Sequence, residues 1–428
     1  MKNTIKKIIF DFHSGGAPQL IERNYNIPLS SKKIVSIIGP RRAGKTYILF
    51  QFIKKLSAKI DKKKILYLNF EDERLFFNNN YDIIFEAYFE LYPEINKHDI
   101  CLFLDEIQEL PNWEKFIRRV YDSITKNIFI TGSNSKMLSS DIATSLRGRT
   151  ISYEILPLTF FEHLKFKNTD FPDDIYSIKS VSRLKRYFEE YMIFGFYPEI
   201  VLIDDKQIKQ KILQEYFNTV IYRDLVEHYN ISNIKILKFI MKKLYASFTK
   251  EYSINKIYNE LKSMSYRISK DKLYELIHQI ESVYFFYSLE KKEKSIIKNE
   301  ISNKKVYTFD NGIIYSLSCE TENDLGKYFE NLLFNEIYKK FGDIKFYKND
   351  YECDFIFKKQ KQVVALQAVY LLNQENFQRE LKGLKKTMEK FKIKTGCIVY
   401  YETDIKFSKI KDVEILNVFE FYRKYIKN

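Results

Sequence analysis

The stretch that decides the fold is Gly39-Pro-Arg-Arg-Ala-Gly-Lys45-Thr46. It follows the apolar run Ile34 to Ile38 and precedes a helical pattern from Tyr47 to Leu56, which is the strand, loop and helix order of a phosphate-binding loop. The glycines let backbone N–H groups surround phosphate oxygens, Lys45 can reach the β- and γ-phosphates, and Thr46 can place its hydroxyl on Mg²⁺. The predicted nucleotide-binding residues are Gly39, Pro40, Arg41, Arg42, Ala43, Gly44, Lys45, Thr46 and Tyr47.

A second apolar strand ends in two acids. Ile100 to Leu104 is unbroken apolar sequence, as expected of a buried parallel strand, and Asp105-Glu106 follows at once. The carboxyl ends of such strands face the ligand crevice of an open α/β sheet. The sequence therefore predicts that Asp105 lies in the Mg²⁺ shell and that Glu106 orients or deprotonates the attacking water.

Further strands complete an α/β domain. Asn127 to Thr131 leads into Gly132-Ser133-Asn134-Ser135, so that Ser133 or Asn134 can read the γ-phosphate from a neighbouring strand. Lys64 to Phe70 forms another apolar run, and helical patterns separate the strands. The pattern predicts a doubly wound parallel sheet of the P-loop NTPase class over residues 1–165, followed by a helical lid over 166–230.

Residues 231–310 show three helical patterns followed by two β-rich runs. Ser253 and Ser269 can cap the second and third helices, and a lysine-rich loop joins the two strands. This order predicts a winged helix whose third helix enters the major groove of DNA. The candidate contact residues are Tyr266, Arg267, Lys270, Lys272 and Tyr274. The alternative is an interaction module whose lysines are simply solvated.

Residues 311–428 read as helix, three strands, helix and strand, which is the order of a restriction-endonuclease-like core. Its candidate site residues are Glu330, Asp354 and Gln367. Such nucleases need a Glu-x-Lys on the strand after the aspartate, because two carboxylates hold Mg²⁺ and the lysine stabilises charge. Here that position is Gln367-Ala368-Val369, so we expect cleavage to be absent. A relocated lysine, Lys358 or Lys361, is the alternative.

The composition fits a globular protein with a polyanionic partner. The net charge is +15 over 428 residues, and residues 235 to 306 carry 16 Lys and Arg against 8 Asp and Glu, so the excess is localised. No signal peptide or membrane span is evident, which predicts a cytoplasmic protein without a membrane partner. The four cysteines lie far apart without zinc spacing and are expected to be buried free thiols.

End to end, the chain resembles a family of archaeal and bacterial P-loop ATPases related to the AAA+ and STAND groups, whose C-terminal domain is restriction-endonuclease-like. The resemblance rests on several short motifs along the chain. They are Gly39 to Thr46, Tyr67-Leu-Asn-Phe-Glu-Asp-Glu-Arg-Leu75, Leu104-Asp-Glu-Ile-Gln108, Thr131-Gly-Ser-Asn134, Ser145-Leu-Arg-Gly-Arg149, Leu156-Pro-Leu-Thr-Phe160, Asp310-Asn-Gly312 and Tyr351-Glu-Cys-Asp354.

The resemblance implies ATP as the nucleotide, Asn134 as a sensor of the γ-phosphate, and Arg147 or Arg149 as an arginine finger that acts within a homo-oligomer. A guanidinium suits that role because it pairs with phosphate oxygens as charge spreads in the transition state. The two arginines could equally tie down a loop through salt bridges. The preferred function is an ATP-dependent switch that binds DNA through the winged helix and the C-terminal domain. An ATP-gated nuclease and a protein-binding signalling ATPase are the alternatives.

Overall fold

The chain folds into two compact units, Met1–Pro157 and Leu158–Asn428, in a computed structural model. The structure describes residues 1–15, 18–29, 31–78, 80–132, 144–293, 295, 302–317 and 325–427. The first unit ends within the region expected to form the P-loop domain. The finer division of the second unit at residues 231 and 311 stays a prediction.

The first unit is built on a five-stranded parallel sheet of order β2-β3-β4-β1-β5. Its strands are β1 (Ile34–Ile38), β2 (Ile65–Asn69), β3 (Cys101–Asp105), β4 (Asn127–Gly132) and β5 (Thr150–Glu154). Strands β1 and β3 are buried along their whole length because helices cover both faces of the sheet. The predicted parallel α/β sheet is therefore confirmed.

Helices cover the two faces of this sheet unequally. The helices of the first unit are α1 (Lys2–Ser14), α2 (Lys45–Ser57), α3 (Asp82–Leu91) and α4 (Trp113–Ser123). Helix α2 packs on one face with Val35, Phe103 and Phe129, whereas α1, α3 and α4 share an apolar cluster on the other face. Because β1, β3 and β4 are parallel and contiguous, the residues that follow them meet at one edge of the sheet.

The second unit is larger and contains both helices and β-strands. Its helices are α5 (Phe160–Phe166), α6 (Ile178–Phe194), α7 (Pro198–Leu202), α8 (Lys206–Thr219), α9 (Ile234–Ala246), α10 (Ile254–Ser263), α11 (Lys270–Ser282), α12 (Asn311–Leu317), α13 (Leu325–Phe341), α14 (Gln374–Phe391) and α15 (Val418–Phe421). Short π-helical segments extend α8 to Glu227 and α15 to Ile426. One apolar cluster rich in aromatic rings extends from Phe160 to Ile426.

A small antiparallel sheet of order β6-β8-β7 lies within the second unit. Its strands are β6 (Glu251–Tyr252), β7 (Tyr287–Leu289) and β8 (Lys304–Tyr307). Along the chain they alternate with helices in the order α9, β6, α10, α11, β7, β8. The predicted caps are confirmed, since the hydroxyls of Ser253 and Ser269 accept backbone N–H groups at the starts of α10 and α11.

A five-stranded sheet of order β13-β12-β11-β10-β9 completes the second unit. Its strands are β9 (Ile344–Lys348), β10 (Glu352–Lys359), β11 (Gln362–Leu372), β12 (Thr395–Thr403) and β13 (Val413–Asn417). The first three strands are antiparallel neighbours and the last three are parallel. Helices α13 and α14 cover opposite faces, because alternate residues of β10 and β11 join different apolar clusters.

Candidate nucleotide site

Two glycines give the loop after β1 its shape. Gly39 has a φ of 142° and lies so close to the chain that an added Cβ would stand 2.1 Å from the carbonyl oxygen of Ile155. Gly44 has a φ of 94° at the N-cap of α2, and among the described residues no side chain caps that helix. Both conformations are those that glycine adopts without strain, and the uncapped N-terminus leaves backbone donors for an anion.

Lys45 lies inside this loop. Its side chain is buried, and Nζ donates hydrogen bonds to the carbonyl oxygens of Gly39 at 3.1 Å and Pro40 at 3.0 Å. The same Nζ is 3.8 Å from Oε1 of Glu106. The loop therefore holds the Lys45 ammonium at its centre and close to the carboxylate of Glu106.

Asp105 is fully buried at the end of β3. Its carboxylate accepts hydrogen bonds from the hydroxyls of Thr131 and Tyr67 and from the side chain of Thr46. Burial raises the pKa of Asp105, and the Thr131 hydrogen bond opposes that rise. The contact between the Asp105 carboxylate and the Thr46 hydroxyl unites the two predicted metal ligands. This oxygen pair suits Mg²⁺, which prefers hard oxygen ligands.

Glu106 adopts a left-handed backbone conformation with a φ of 50°. Its N–H donates to the hydroxyl oxygen of Thr131 at 2.8 Å, and Nε2 of Gln108 donates to its Oε2 at 2.6 Å. Such a conformation costs a non-glycine residue about 1 kcal/mol or more. These two bonds hold the Glu106 carboxylate beside Lys45, where a water-activating group is expected.

Arg23 supports the loop from outside the predicted motif. Its buried guanidinium donates to the carbonyl oxygens of Ala43 at 2.7 Å and Leu156 at 2.9 Å. The side chain of Gln51 pairs with both backbone groups of Arg23, which fastens the segment to α2. Nothing in the sequence around Arg23 signals this role, because its partners lie far along the chain.

Among the other loop residues, Arg42 and Tyr47 are exposed and Arg41 is half-buried, whereas Pro40 and Ala43 are buried. Arg41 donates to Oε1 of Glu71 at 3.1 Å, Arg42 adopts a φ of 63°, and Tyr47 exposes 56% of its surface at the start of α2. Their predicted nucleotide contacts stay predictions. The γ-phosphate sensor expected at Asn134, like the alternative Ser133, lies outside the described residues.

Arg147 and Arg149 are not brought to this site. They immediately precede β5, whose first residue pairs with Ile34 at the start of β1, and the carbonyl oxygen of Arg149 accepts the N–H of Ile34. The loop lies at the other end of β1, about 13 Å away along a five-residue strand. Arg149 also pairs with Asp122 at 3.2 Å. Both arginines therefore lie near the end of β1 opposite the nucleotide loop of the same chain.

The candidate residues of the C-terminal region lie close together, and they share a lysine that was not predicted from the sequence. Oε1 of Gln367 accepts the backbone N–H of Asp354, and Glu330 lies near Asp354 through a shared lysine, Lys305 of β8. Lys358 and Lys361, the alternatives for a relocated lysine, have exposed side chains toward the end of β10 that lies opposite Asp354. Within the described ranges, no group of three or more acidic, histidine or cysteine side chains is arranged to hold a metal ion.

The helix predicted to contact DNA borders a surface groove. A cavity of about 550 Å³ is lined by Tyr258, Lys262, Tyr266, Arg267, Ile268 and Ser269, next to the N-terminus of α11. Lys270, Lys272 and Tyr274 are exposed along the same helix, although Lys272 pairs with Glu275 at 2.9 Å. The sequence candidates thus lie in the loop before α11 and on its first two turns, where Lys270 and Tyr274 share one side of the helix and Lys272 projects from another.

The geometry of the first unit defines a class of protein, and comparison with known proteins agrees. Residues 31–164 match the model of a family described as an AAA domain. The fold and the loop geometry of the first unit are therefore those of an AAA-type P-loop NTPase domain. The chain belongs to the family of the uncharacterized protein MJ1544 of Methanocaldococcus jannaschii, to which it is 40% identical over 401 residues, covering 91% of this chain and 87% of that protein.

Other similarities are weaker or less informative. An uncharacterized protein of Haemophilus influenzae is 28% identical over 396 residues, covering 91% of this chain and 93% of that protein. Residues 185–324 match a domain of unknown function, DUF8612. The solved Walker-type ATPase PABY2304 of Pyrococcus abyssi is similar with 15% identity and a TM-score of 0.43, covering 66% of this chain and 90% of that one. None of the helices among the described residues has the length and apolarity to span a bilayer.

Proposed function

We propose that this protein hydrolyses ATP in an Mg²⁺-dependent reaction and uses the cycle as a DNA-associated switch. The observation that carries the hydrolytic part is the convergence of Lys45, Thr46, Asp105 and Glu106 at one sheet edge. A chance cluster of acids would not also contain a buried lysine held by the carbonyl groups of a glycine loop. Each of the four residues has a separate part in the reaction.

The division of labour follows from the contacts. When nucleotide binds, the ammonium of Lys45 moves from the carbonyl groups of Gly39 and Pro40 to the phosphate oxygens. A charged phosphate oxygen is a stronger hydrogen-bond acceptor for an ammonium group than a neutral carbonyl oxygen. Thr46 and Asp105 would hold Mg²⁺, which would supply positive charge to offset that of the phosphates. Glu106, fixed by Gln108, orients or deprotonates the attacking water. Asn134 senses the γ-phosphate in this proposal.

Arg147 and Arg149 complete the site of a neighbouring subunit. Their placement at the opposite sheet edge supports action in trans over action within one chain, because an arginine side chain cannot span the length of β1. A guanidinium from the neighbour would then stabilise charge as the phosphoryl group leaves. The ion pair of Arg149 with Asp122 supports the opposing interpretation, in which the arginine anchors its own loop.

Two features support an association with DNA. The order α9, β6, α10, α11, β7, β8 with sheet order β6-β8-β7 agrees with the expectation of a winged helix, in which α11 would be the recognition helix. The groove before α11 combines Lys262 and Arg267 with two tyrosine rings, a combination that suits phosphate and base contacts. ATP binding would change how this surface is presented.

The hydrolytic proposal is tested with purified full-length protein, labelled ATP and Mg²⁺. We expect saturable ATP binding and phosphate release by the wild type, and loss of both in Lys45→Ala. Lys54→Ala is the matched control, because Lys54 is exposed on the same helix. Wild-type protein that binds no ATP, or a Lys45→Ala variant that binds as well as the control, would refute the assignment.

The DNA proposal is tested by titrating duplex and single-stranded DNA over a range of salt concentrations. We expect affinity to fall linearly with log salt concentration, and Arg267→Ala with Lys262→Ala to reduce the slope by about one for each phosphate-binding side chain that is removed. Absence of binding would favour the protein-interaction alternative. Mg²⁺-dependent cleavage of plasmid by the wild type, abolished in Asp354→Ala, would favour the nuclease alternative.

A further inference from the structure

A buried lysine fills the acidic cluster of the C-terminal sheet. Lys305 is the central residue of the small sheet, paired with Glu251 of β6 and Leu289 of β7, and only 1% of its surface is exposed. Its Nζ lies 2.7 Å from Oε1 of Glu352, 3.2 Å from Oε1 of Glu330 and 3.4 Å from Oδ1 of Asp354. One ammonium group therefore contacts carboxylates from both α13 and β10.

The cluster is closed by further hydrogen bonds. The hydroxyl of Tyr307, two residues along β8, donates to Oε1 of Glu330, and the backbone N–H of Ala368 donates to Oδ2 of Asp354. Lys348 pairs with the other oxygen of Glu352 at 3.0 Å. Each of the three carboxylates thus has a partner besides Lys305, which fixes their orientation around the ammonium.

The residues do not fit the divalent ion that a nuclease of this topology would need. Mg²⁺ requires oxygen ligands at about 2.0–2.1 Å in near-octahedral order, whereas these carboxylates surround a nitrogen at hydrogen-bonding distance. Gln367, in place of the second acid, is also fully engaged. Its Oε1 accepts the N–H of Asp354, and its Nε2 donates to the carbonyl oxygen of Glu352 and to Glu380.

We propose that the ammonium of Lys305 is a built-in replacement for the metal ion of a nuclease-like site. It neutralises the carboxylates that would otherwise recruit a divalent cation, and it joins the small sheet to the C-terminal sheet. The proposal does not rest on ATP hydrolysis or on DNA binding. It accounts for the presence of Glu330 and Asp354 side by side in a chain that lacks the lysine of the Glu-x-Lys position.

The electrostatic environment supports a permanently charged lysine. Burial lowers the pKa of Lys305, but the surrounding groups, above all Glu330, outweigh that effect and raise it well above its usual value. Burial also raises the pKa of Glu330 to about 7, although Lys305 opposes the rise. Removing the ammonium would leave three carboxylates facing one another, buried Asp354 and half-buried Glu330 and Glu352, which is a setting that binds cations or takes up protons.

The test measures cation binding by the full-length chain without nucleotide. Ca²⁺ and Tb³⁺ are suitable probes, because Ca²⁺ accepts oxygen ligands at about 2.3–2.6 Å in flexible geometry and Tb³⁺ is a luminescent substitute excited by nearby tyrosines such as Tyr307. We expect wild type, Lys305→Arg and Asp354→Asn to give the same luminescence titration. Lys305→Ala should gain one site at least tenfold tighter, and the double variant Lys305→Ala, Asp354→Asn should lose it.

Thermal unfolding provides a second readout. Lys305→Ala should melt at a lower temperature in chelator than the wild type and recover with Ca²⁺, whereas the double variant should not recover. Equal titrations for Lys305→Ala and the double variant would overturn the proposal. Should Lys305→Ala fail to fold, wild type and Asp354→Asn decide the matter. Equal Mn²⁺ titrations of these two proteins support a lysine-filled site, and Mn²⁺ binding that disappears in Asp354→Asn overturns it.

Discussion

The hydroxyl group of Thr131 joins both acids of the candidate nucleotide site, because it donates to Oδ1 of Asp105 and accepts the backbone N–H of Glu106. One side chain on β4 thereby orients Asp105, the proposed metal ligand, and stabilises the left-handed turn of Glu106, the proposed water-activating residue. The geometry of the end of β3 is thus determined by its neighbouring strand.

Thr131→Val removes this link while keeping the shape of the side chain. We expect the loss to leave the N–H of Glu106 unsatisfied, destabilise the first unit by about 1–3 kcal/mol and lower ATP turnover at least tenfold. Thr131→Ser, which retains the hydroxyl, is the control and should stay close to wild type. Urea unfolding and steady-state phosphate release check the prediction. Unchanged turnover in Thr131→Val would show that the link is dispensable.

Glu106→Gln should separate ATP binding from hydrolysis. The amide preserves the size of the side chain and can still bond to Gln108, but it cannot accept a proton, so turnover should fall by about 10²–10⁴-fold while ATP affinity changes little. The control is Glu109→Gln, an exposed acid three residues away. Binding of labelled ATP and single-turnover hydrolysis provide the two readouts. Equal rates for the variant and the wild type would contradict the assignment of Glu106.

Arg149→Ala tests whether the arginine acts on a neighbouring subunit. Alone, this variant should lose most of its turnover, because the neighbouring site then lacks the guanidinium that stabilises the transition state. Mixed with Glu106→Gln in equal amounts, it should regain activity, since some interfaces then combine an intact Arg149 with an intact Glu106. Phosphate release by the mixture is compared with that of each variant alone, and Arg147→Ala is treated in the same way.

Two results would refute action in trans for Arg149. Full activity of Arg149→Ala would leave only the structural role with Asp122, and a mixture no more active than its components would exclude complementation between subunits.

Asp310 should make the stability of the second unit depend on pH. Burial raises its pKa to about 7, against the opposing backbone N–H groups of Phe196, Ile313 and Gly312. Because the folded pKa exceeds the unfolded value of about 3.9, the folded state retains the proton, and this contribution to stability is lost as the pH rises from about 4 to 7. Between pH 5.5 and pH 8 the expected loss is about 2 kcal/mol.

Urea unfolding of wild type and Asp310→Asn at the two pH values measures this contribution. The difference between their free energies of unfolding should shrink by about that amount at the higher pH, since asparagine does not titrate. Glu330, whose pKa is also about 7, is present in both proteins and cancels from the comparison. If the difference in free energy of unfolding between wild type and Asp310→Asn does not change with pH, Asp310 does not titrate in this range.

The nucleotide loop could be predicted from sequence because its signal is local. Strand, glycine loop and helix follow one another without a gap, and the structure places Lys45 and Thr46 beside Asp105 and Glu106 as their motifs require. The predicted buried free thiols are also confirmed for the described cysteines, Cys101, Cys353 and Cys397.

The remaining features depend on contacts between distant segments. The role of Thr131 follows from the position of β4 beside β3, and that of Arg23 from carbonyl groups at Ala43 and Leu156. The lysine of the acidic cluster comes from β8, some fifty residues before Asp354, so a search near Asp354 selected Lys358 and Lys361 instead. Composition and periodicity carry no information about which strands become neighbours.

The separation of Glu106 from Arg149 across the length of β1 has a consequence for assembly. If each subunit presents its loop at one end and its arginines at the other, the contact between copies is head-to-tail and not self-complementary. In an open row of such subunits, the nucleotide site at one end would receive no arginine from a neighbour. In a closed ring, every nucleotide site would receive one. The hydrolysis rate per subunit should then rise with protein concentration and level off when the ring closes.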